Sequence, residues 1–387
     1  MAIDLKNLLS IVQKKINNLD SSTSTLQELL DVANFTDKAS SGTILFVDDS
    51  SDLPNLNDVT LPTADGARSL VFAKNSGRLF AKKDTWKPFT FRGLIPSSSS
   101  YSFQGETSGY SSGGLNPSSQ LSDVVDKFSF ASDGNATDVG NLTRSGTQAA
   151  AGHSSNESGY TAGGPSDVTI DKFPFASDAN ATDVGDMTLA RFYVAGQSSS
   201  ASGYTSGGNP TTNVIDKFPF SSDANATDVG DLTLARWAAA GQSSDASGYT
   251  SGGNVDPGPG VVNTIDKFPF SADANATDVG DLTLARQRPA GQSSTVSGYT
   301  SGGQLNLNVI DKFPFASDAN ATDVGDLTNG RAASAGQSST ASGYTSGGDN
   351  PSKRNEIDKF PFASDANATD VGDLTLARGK IGAGQQV

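Results

Sequence analysis

Two hydrophobic periodicities divide this chain. Between residues 2 and 33, apolar or small residues recur at steps of mostly three and four: Ala2, Leu5, Leu9, Val12, Ile16, Leu19, Thr23, Leu26, Leu30 and Ala33. That spacing is one face of a helix and, sustained this long, a heptad seam. It predicts a helical, coiled-coil-like stalk over residues 1–40, with Leu5, Leu9, Val12, Ile16, Leu19, Leu26 and Leu30 packing against a partner chain. Asp20-Ser21-Ser22 and Ser24-x-x-Gln27 also fit a helix stop and a fresh N-cap, which would make two amphipathic helices instead. From about residue 100 the pattern changes to short apolar runs broken by Gly, Ser, Asn, Asp and Pro, as in strands joined by turns. Between them a small β module is expected over 41–92, with strands at 43–47, 58–61, 69–73, 78–81 and 86–91. Asn75-Ser76-Gly77 is a tight-turn signal and predicts a hairpin of the third and fourth of these. Residues 93–100 (GLIPSSSS) read as a linker.

The strand-rich part repeats itself six times. Asp-Lys-Phe recurs at Asp126, Asp171, Asp216, Asp266, Asp311 and Asp358, and each is preceded by Gly-Tyr-x-x-Gly-Gly with tyrosines at 110, 160, 204, 249, 299 and 344. In the copy at 190–235, strands are expected over 192–199, 202–208, 214–220 and 227–234, separated by Ser-Ser, Gly-Gly-Asn-Pro and Asp-Ala-Asn-Ala turns. Four strands in about 45 residues form one supersecondary unit that must lie against its neighbours, the signature of a β-propeller blade. Ala195-Gly196 suits an inner strand crowded near the axis, and Ile215, Phe218 and Phe220 can supply core. Pro219 cannot donate to a ladder and argues for an outer or bulged strand.

The ends of the array complement each other. Residues 376–385 repeat the opening strand of a copy and then stop, whereas residues 98–107, ahead of the first copy, lack Ala-Gly-Gln. The C-terminal strand is therefore expected to complete the first blade, giving six blades over 101–387 closed by a clasp of mixed origin. An open solenoid is the alternative.

Composition narrows the chemistry. Cysteine is absent and His153 is the only histidine, so thiolate metal sites and Cys nucleophiles are excluded. No apolar run is long enough for a membrane span, and residues 1–20 do not read as a secretory signal. Residues 1–99 carry 11 acidic and 11 basic side chains, so the net charge of −15 resides in the repeats. Such an acidic array is not expected to grip nucleic acid.

Few residues suggest catalysis. His153 stands where the other copies have Gln197, Gln242, Gln292 and Gln337, and reads as a surface variant. The run Asp223-Ala-Asn225-Ala-Thr227-Asp228 offers oxygen ligands, but lacks the EF-hand glycine and distal Glu, so turn chemistry is the plainer account and no cofactor or metal is expected. One Arg per blade (Arg144, displaced, then Arg191, Arg236, Arg286, Arg331 and Arg378) and one Asp-Lys per blade suggest structural pairing between neighbours. Recognition is expected where copies differ. Those places are the loops 115–122, 254–262, 304–308 and 349–355, and the residues after the blade arginine, with Phe192, Tyr193, Trp237, Arg288, Asn254 and Asp256 as candidate binding residues.

These motifs carry two resemblances. Gly-Gly, a loop, a hydrophobic-x-x-aromatic strand, a hydrophobic strand and an Arg before the next Ala-Gly resemble the kelch repeat, with Val229–Leu232 in the place of the usual late Trp. Asp52-Leu53-Pro54 and the stretch 70–89 (LVFAKNSGRLFAKKDTWKPF) resemble adaptor modules in structural proteins of bacteriophages, notably those of marine cyanobacteria. The resemblance implies a non-enzymatic virion protein, a tail or neck fibre or other appendage. Its N-terminal part would bind other virion proteins and form a homo-oligomer, a trimer by resemblance, while the propeller contacts a host glycan or protein. A surface lectin or adhesin is the alternative, and a glycan-acting enzyme a weaker one, since most carboxylates of the repeat recur in every blade.

Overall fold

The computed structural model describes four strands between Ile44 and Pro88, and residues 104–387 apart from 145–146 and 382. The predicted stalk and the strand expected at 58–61 lie outside the described residues. The chain divides into two units, one up to Pro96 and one from Ser97.

In the first unit the strands β1 (Ile44–Val47), β2 (Ser69–Ala73), β3 (Arg78–Lys82) and β4 (Trp86–Pro88) form one sheet in sequence order. β2 and β3 make the expected hairpin, Phe72 opposite Leu79, while β1 runs parallel to β2.

The second unit is a six-bladed β-propeller. Blade 3 shows the plan: Ala195–Ser198, Ser202–Ser206, Val214–Pro219 and Thr227–Asp231 pair antiparallel in that order, from the axis outward. Each strand is shorter than its apolar run suggested, the inner one at both ends and the other three at their C-terminal ends, because the chain there enters turns that hydrogen-bond to themselves or to the next blade. Ser199, for instance, leaves the ladder, and its Oγ accepts from the Ser202 amide at 3.0 Å. Pro219 is not on an outer strand. It ends the third strand opposite Ser202, beyond the last pairing with the outer strand at Lys217–Thr227, so its missing donor costs no ladder bond. The bulge of this strand lies instead between Ile215 and Asp216.

Closure follows the expected clasp. Blade 1 consists of Ala383–Gln386 as inner strand, then Ser108–Ser112, Val124–Ser129 and Thr137–Asn141. Gly384 pairs with Ser111 and Gln385 with Tyr110, which brings the end of the chain into the sheet that begins the repeat array. No free edge is left on that blade's inner side.

The apolar core lies between blades. Tyr160, Ile170 and Met187 of blade 2 pack with Phe218 and Ala226 of blade 3, and the same arrangement recurs around the ring. At the closing junction Tyr344, Ile357 and Leu374 of blade 6 meet Phe128 and Ala136 of blade 1. A single blade therefore cannot bury its own apolar face, which is the physical reason for the repeat.

The axis is lined by one glycine per blade: Gly152, Gly196, Gly241, Gly291, Gly336 and Gly384. A Cβ on any of them would lie 2.1–2.4 Å from the carbonyl oxygen of the preceding one, Gly384 following Gly336 and Gly152 following Gly384. Only a residue without a side chain permits the inner strands to approach this closely.

The two faces differ. The turns after the inner strand and after the third strand share one face, and from blade 2 to blade 6 the inner turn keeps its length and differs only at its two tip residues. On the opposite face lie the loops between second and third strands and the connections from one blade to the next, where the copies diverge. The chain joins the ring on the constant-turn face, where Gly105 N–H donates to Ser338 O at 2.7 Å and Gln104 Nε2 donates to Ser339 O at 2.9 Å.

Candidate functional site: the mouth of the central channel

The connections between blades are anchored before they reach the axis. The Arg191 guanidinium meets Asp216 at 3.0 Å with both side chains buried, and donates to Thr205 O and Val214 O at 3.0 Å each. Thr188 Oγ1 donates to the same carboxylate at 2.6 Å. Equivalent pairs are Arg236–Asp266, Arg286–Asp311, Arg331–Asp358 and Arg378–Asp126. Arg144, displaced in sequence, still reaches Asp171 at 3.3 Å. Burial pulls the Arg191 guanidinium below its ordinary pKa, and the charge of Asp216 opposes that shift. The expectation of structural pairing therefore holds, as both ion pair and carbonyl cap.

Around the rim a second set of pairs follows the same logic. Lys217 reaches Asp273 of the next blade at 2.9 Å, and Lys359 of blade 6 reaches Asp133 of blade 1 at 2.9 Å. The Asp-Ala-Asn-Ala run is thereby occupied: Asp223 accepts from Lys172, Asn225 Oδ1 from the Asp186 amide, and Asp228 from the Gly230 amide. Among the described residues no group of three or more His, Asp or Glu side chains could hold a metal ion.

Two residues beyond each of five blade arginines, and at Ala149 in blade 2, the chain turns through the left-handed region. Ala149, Tyr193, Ala238, Arg288, Ala333 and Lys380 have φ between 52° and 60°. Such a conformation costs a residue with a Cβ on the order of 1 kcal/mol. Here it is held by a belt of backbone hydrogen bonds. Tyr193 N–H donates to Ala149 O (2.6 Å), Ala238 to Tyr193 O (2.8 Å), Arg288 to Ala238 O (2.7 Å), Ala333 to Arg288 O (2.7 Å) and Ala149 to Lys380 O (2.6 Å). Ile381 N–H to Ala333 O, 3.2 Å, completes the circuit.

Three large side chains thus alternate with three alanines around the channel mouth. Tyr193 packs against Phe192 (centroids 5.0 Å apart) and Trp237 (5.4 Å). The Arg288 guanidinium lies over Tyr193 at 4.8 Å and over Trp237 at 5.8 Å. Arg288 Nε and Trp237 Nε1 are shielded from solvent with no hydrogen-bond partner. Burial, then repulsion from Arg288 and Lys353, lowers the Lys380 pKa, with Asp349 opposing. A cavity of about 100 Å³ opens here, lined in part by Tyr193, Arg288, Pro289 and Lys380.

Of the residues singled out from sequence, Tyr193 and Arg288 line this cavity, and Phe192 and Trp237 pack against them. Asn254 reaches it through its backbone only, exchanging hydrogen bonds of 3.0 and 2.8 Å with Trp237. Asp256 does not belong: it sits on the exposed turn of the hairpin Asn254–Val255 and Gly260–Val261, without a hydrogen bond or ion pair to the cluster. Lys380 was missed, although the register of the copies could have found it, since Arg378-x-Lys380 matches Arg286-x-Arg288.

His153 is not a surface residue. It is 1% exposed on the second blade's inner strand. Its Nδ1 donates to Gln197 O at 3.1 Å and its Nε2 accepts from Thr205 Oγ1 at 3.2 Å. Its neighbours explain the exchange. Gln197 Nε2 bonds Ser206 of its own blade as well as Tyr249 O and Thr250 of the next, whereas the position in blade 2 that corresponds to Ser206 is Ala162. Burial pulls the imidazole pKa down to about 4.

No protein-family model matches the chain, and no curated protein matches it. The fold and this site define a six-bladed β-propeller whose copy-to-copy differences are gathered on one face.

Proposed function

We propose that the chain is a virion structural protein of a bacteriophage, a tail or neck fibre or other appendage. In this reading its N-terminal segment oligomerises and attaches, and its propeller contacts a host surface or another virion protein. One observation carries the attachment half: every divergent loop and the cation–aromatic mouth lie on the face opposite Gly105, where the chain joins the ring. Rigid repeats beneath variable loops are a usual platform for recognition. The phage half rests on the resemblance of residues 52–54 and 70–89 to virion adaptor modules, and the divergent kelch-like kinship on the repeat text. No reaction is assigned, because the Asp of each Asp-Lys-Phe is taken up by Thr and Arg side chains and the turn carboxylates such as Asp223 by the lysine of the neighbouring blade.

The alternative, a surface lectin or adhesin, would use the same mouth, and the stacked Tyr193, Trp237 and Arg288 favour a saccharide under either reading. The test is binding of the full chain to cyanobacterial cells and to a glycan array. Trp237→Ala should abolish binding, whereas Val296→Ser, on the constant-turn face, should not. Equal binding by both variants would overturn the loop-face reading. Light scattering of the full chain should give three chain masses, and a monomer would remove the stalk.

A further inference from the structure

Sixteen Lys and Arg side chains lie between residues 100 and 387. Fourteen of them form ion pairs within the propeller. The two that do not, among the described residues, are Arg288 and Lys380, and both stand at the channel mouth on the same belt of left-handed residues. Asp349, the carboxylate that acts on Lys380, is already held by Lys353 at 2.5 Å. Neither cation is needed by the fold at this position: blades 2, 4 and 6 place Ala149, Ala238 and Ala333 there and keep the same turn.

Two further features describe the missing partner. Arg288 is held in place by Tyr193 and Trp237, and its Nε, like Trp237 Nε1, has no acceptor. Beside it Tyr193 and Trp237 are each only half-buried, which leaves part of their ring surface to a flat or cyclic ligand. The charges that act on Lys380 at the mouth are Arg288 and the Lys353–Asp349 pair, and since Asp349 is already taken up by Lys353, the two unpaired groups there are both cations.

Building on the attachment reading above, we infer that Arg288, Lys380, Tyr193 and Trp237 form a binding site for an acidic saccharide. The two cations would hold a carboxylate, and the aromatic rings would take the sugar face. Guanidinium and ammonium together suit a carboxylate better than a neutral hydroxyl, and the stacking surface suits a pyranose better than a bare inorganic anion.

The experiment is calorimetric titration of the full chain with methyl glucuronide, methyl glucoside and inorganic sulfate. Arg288→Ala and Lys380→Ala serve as variants, since alanine already occupies this turn in three blades and folding can be checked by melting temperature. The glucuronide should bind at least about tenfold more tightly than the glucoside, a difference of about 1.4 kcal/mol. Either variant should remove that preference, and added salt should weaken it. Equal affinity for the charged and neutral sugars, or unchanged preference in both variants, would overturn the site. So would sulfate binding as tightly as the glucuronide, since stacking would then contribute nothing. Cell attachment that persists while glucuronide fails to bind would sink the ligand class and leave the attachment reading standing. Loss of both would end the two together.

Discussion

Arg378 and Asp126, 252 residues apart in sequence, meet at 2.7 Å with both side chains fully buried. The same carboxylate accepts from Thr375 Oγ1 at 2.5 Å. This is the pairing made at five other junctions, so the closing junction is built from the same parts as the rest of the ring.

Breaking one side of that pair should be severe. Asp126→Ala leaves the guanidinium buried and uncompensated, a loss expected at about 3–5 kcal/mol. The double change Asp126→Leu with Arg378→Met should cost less than Asp126→Ala alone. Urea unfolding curves of the three chains give the comparison, and a double variant as costly as Asp126→Ala, or costlier, would contradict the coupling.

The rim pairs should behave oppositely. Lys217 and Asp273 sit 2.9 Å apart with Asp273 more than half exposed. Lys217→Met should therefore cost less than about 1 kcal/mol, and less still in high salt. A loss comparable to that of the buried pair would mean that the rim carries blade association.

The axial glycines allow a sharper test. A Cβ at Gly241 would meet Gly196 O at 2.2 Å, backbone that cannot rotate away. Gly241→Ala should destabilise by about 3 kcal/mol or more, the upper range for overpacking. Gly134→Ala, where nothing lies within 4 Å, should be close to neutral. The readout is the melting temperature of each chain.

How far the residues alone reached depends on what each position does. The strand order and the Arg–Asp pairs were legible because each repeats six times, and a repeated charged pair has to be satisfied by a repeated neighbour; the clasp was legible because the last partial copy supplies the strand that the first copy lacks. Pro219 misled because its meaning depends on where the neighbouring strand stops, not on its own strand. His153 misled because a polar substitution in a single copy looks like surface drift, whereas the Ala162 that accompanies it sits on another strand. The mouth was half legible. Phe192, Tyr193, Trp237 and Arg288 stood out as differences between copies, but only the ring geometry brings Lys380 beside them.

Acid should act through His153. Its folded pKa of about 4 lies below the unfolded value of 6.5, so the unfolded chain binds the proton more readily. The stability contributed by the neutral imidazole is present above pH 6.5 and is lost as the pH falls toward 4, up to about 3 kcal/mol. The stability difference between the parent chain and His153→Gln, measured by urea unfolding, should change by that amount between pH 7 and pH 4. A pH-independent difference would show that the histidine is not buried neutral.

Hydrogen exchange of the last five residues bears most directly on the closed ring. Val387 N–H donates to Ser108 O at 3.0 Å, and the strand Ala383–Gln386 is paired along its length with Ser108–Ser112. Those amides should exchange as slowly as those of the inner strand Ala240–Ser243. Exchange at the rate of an unstructured peptide would mean that blade 1 lacks its inner strand, and the channel mouth would then not exist as described.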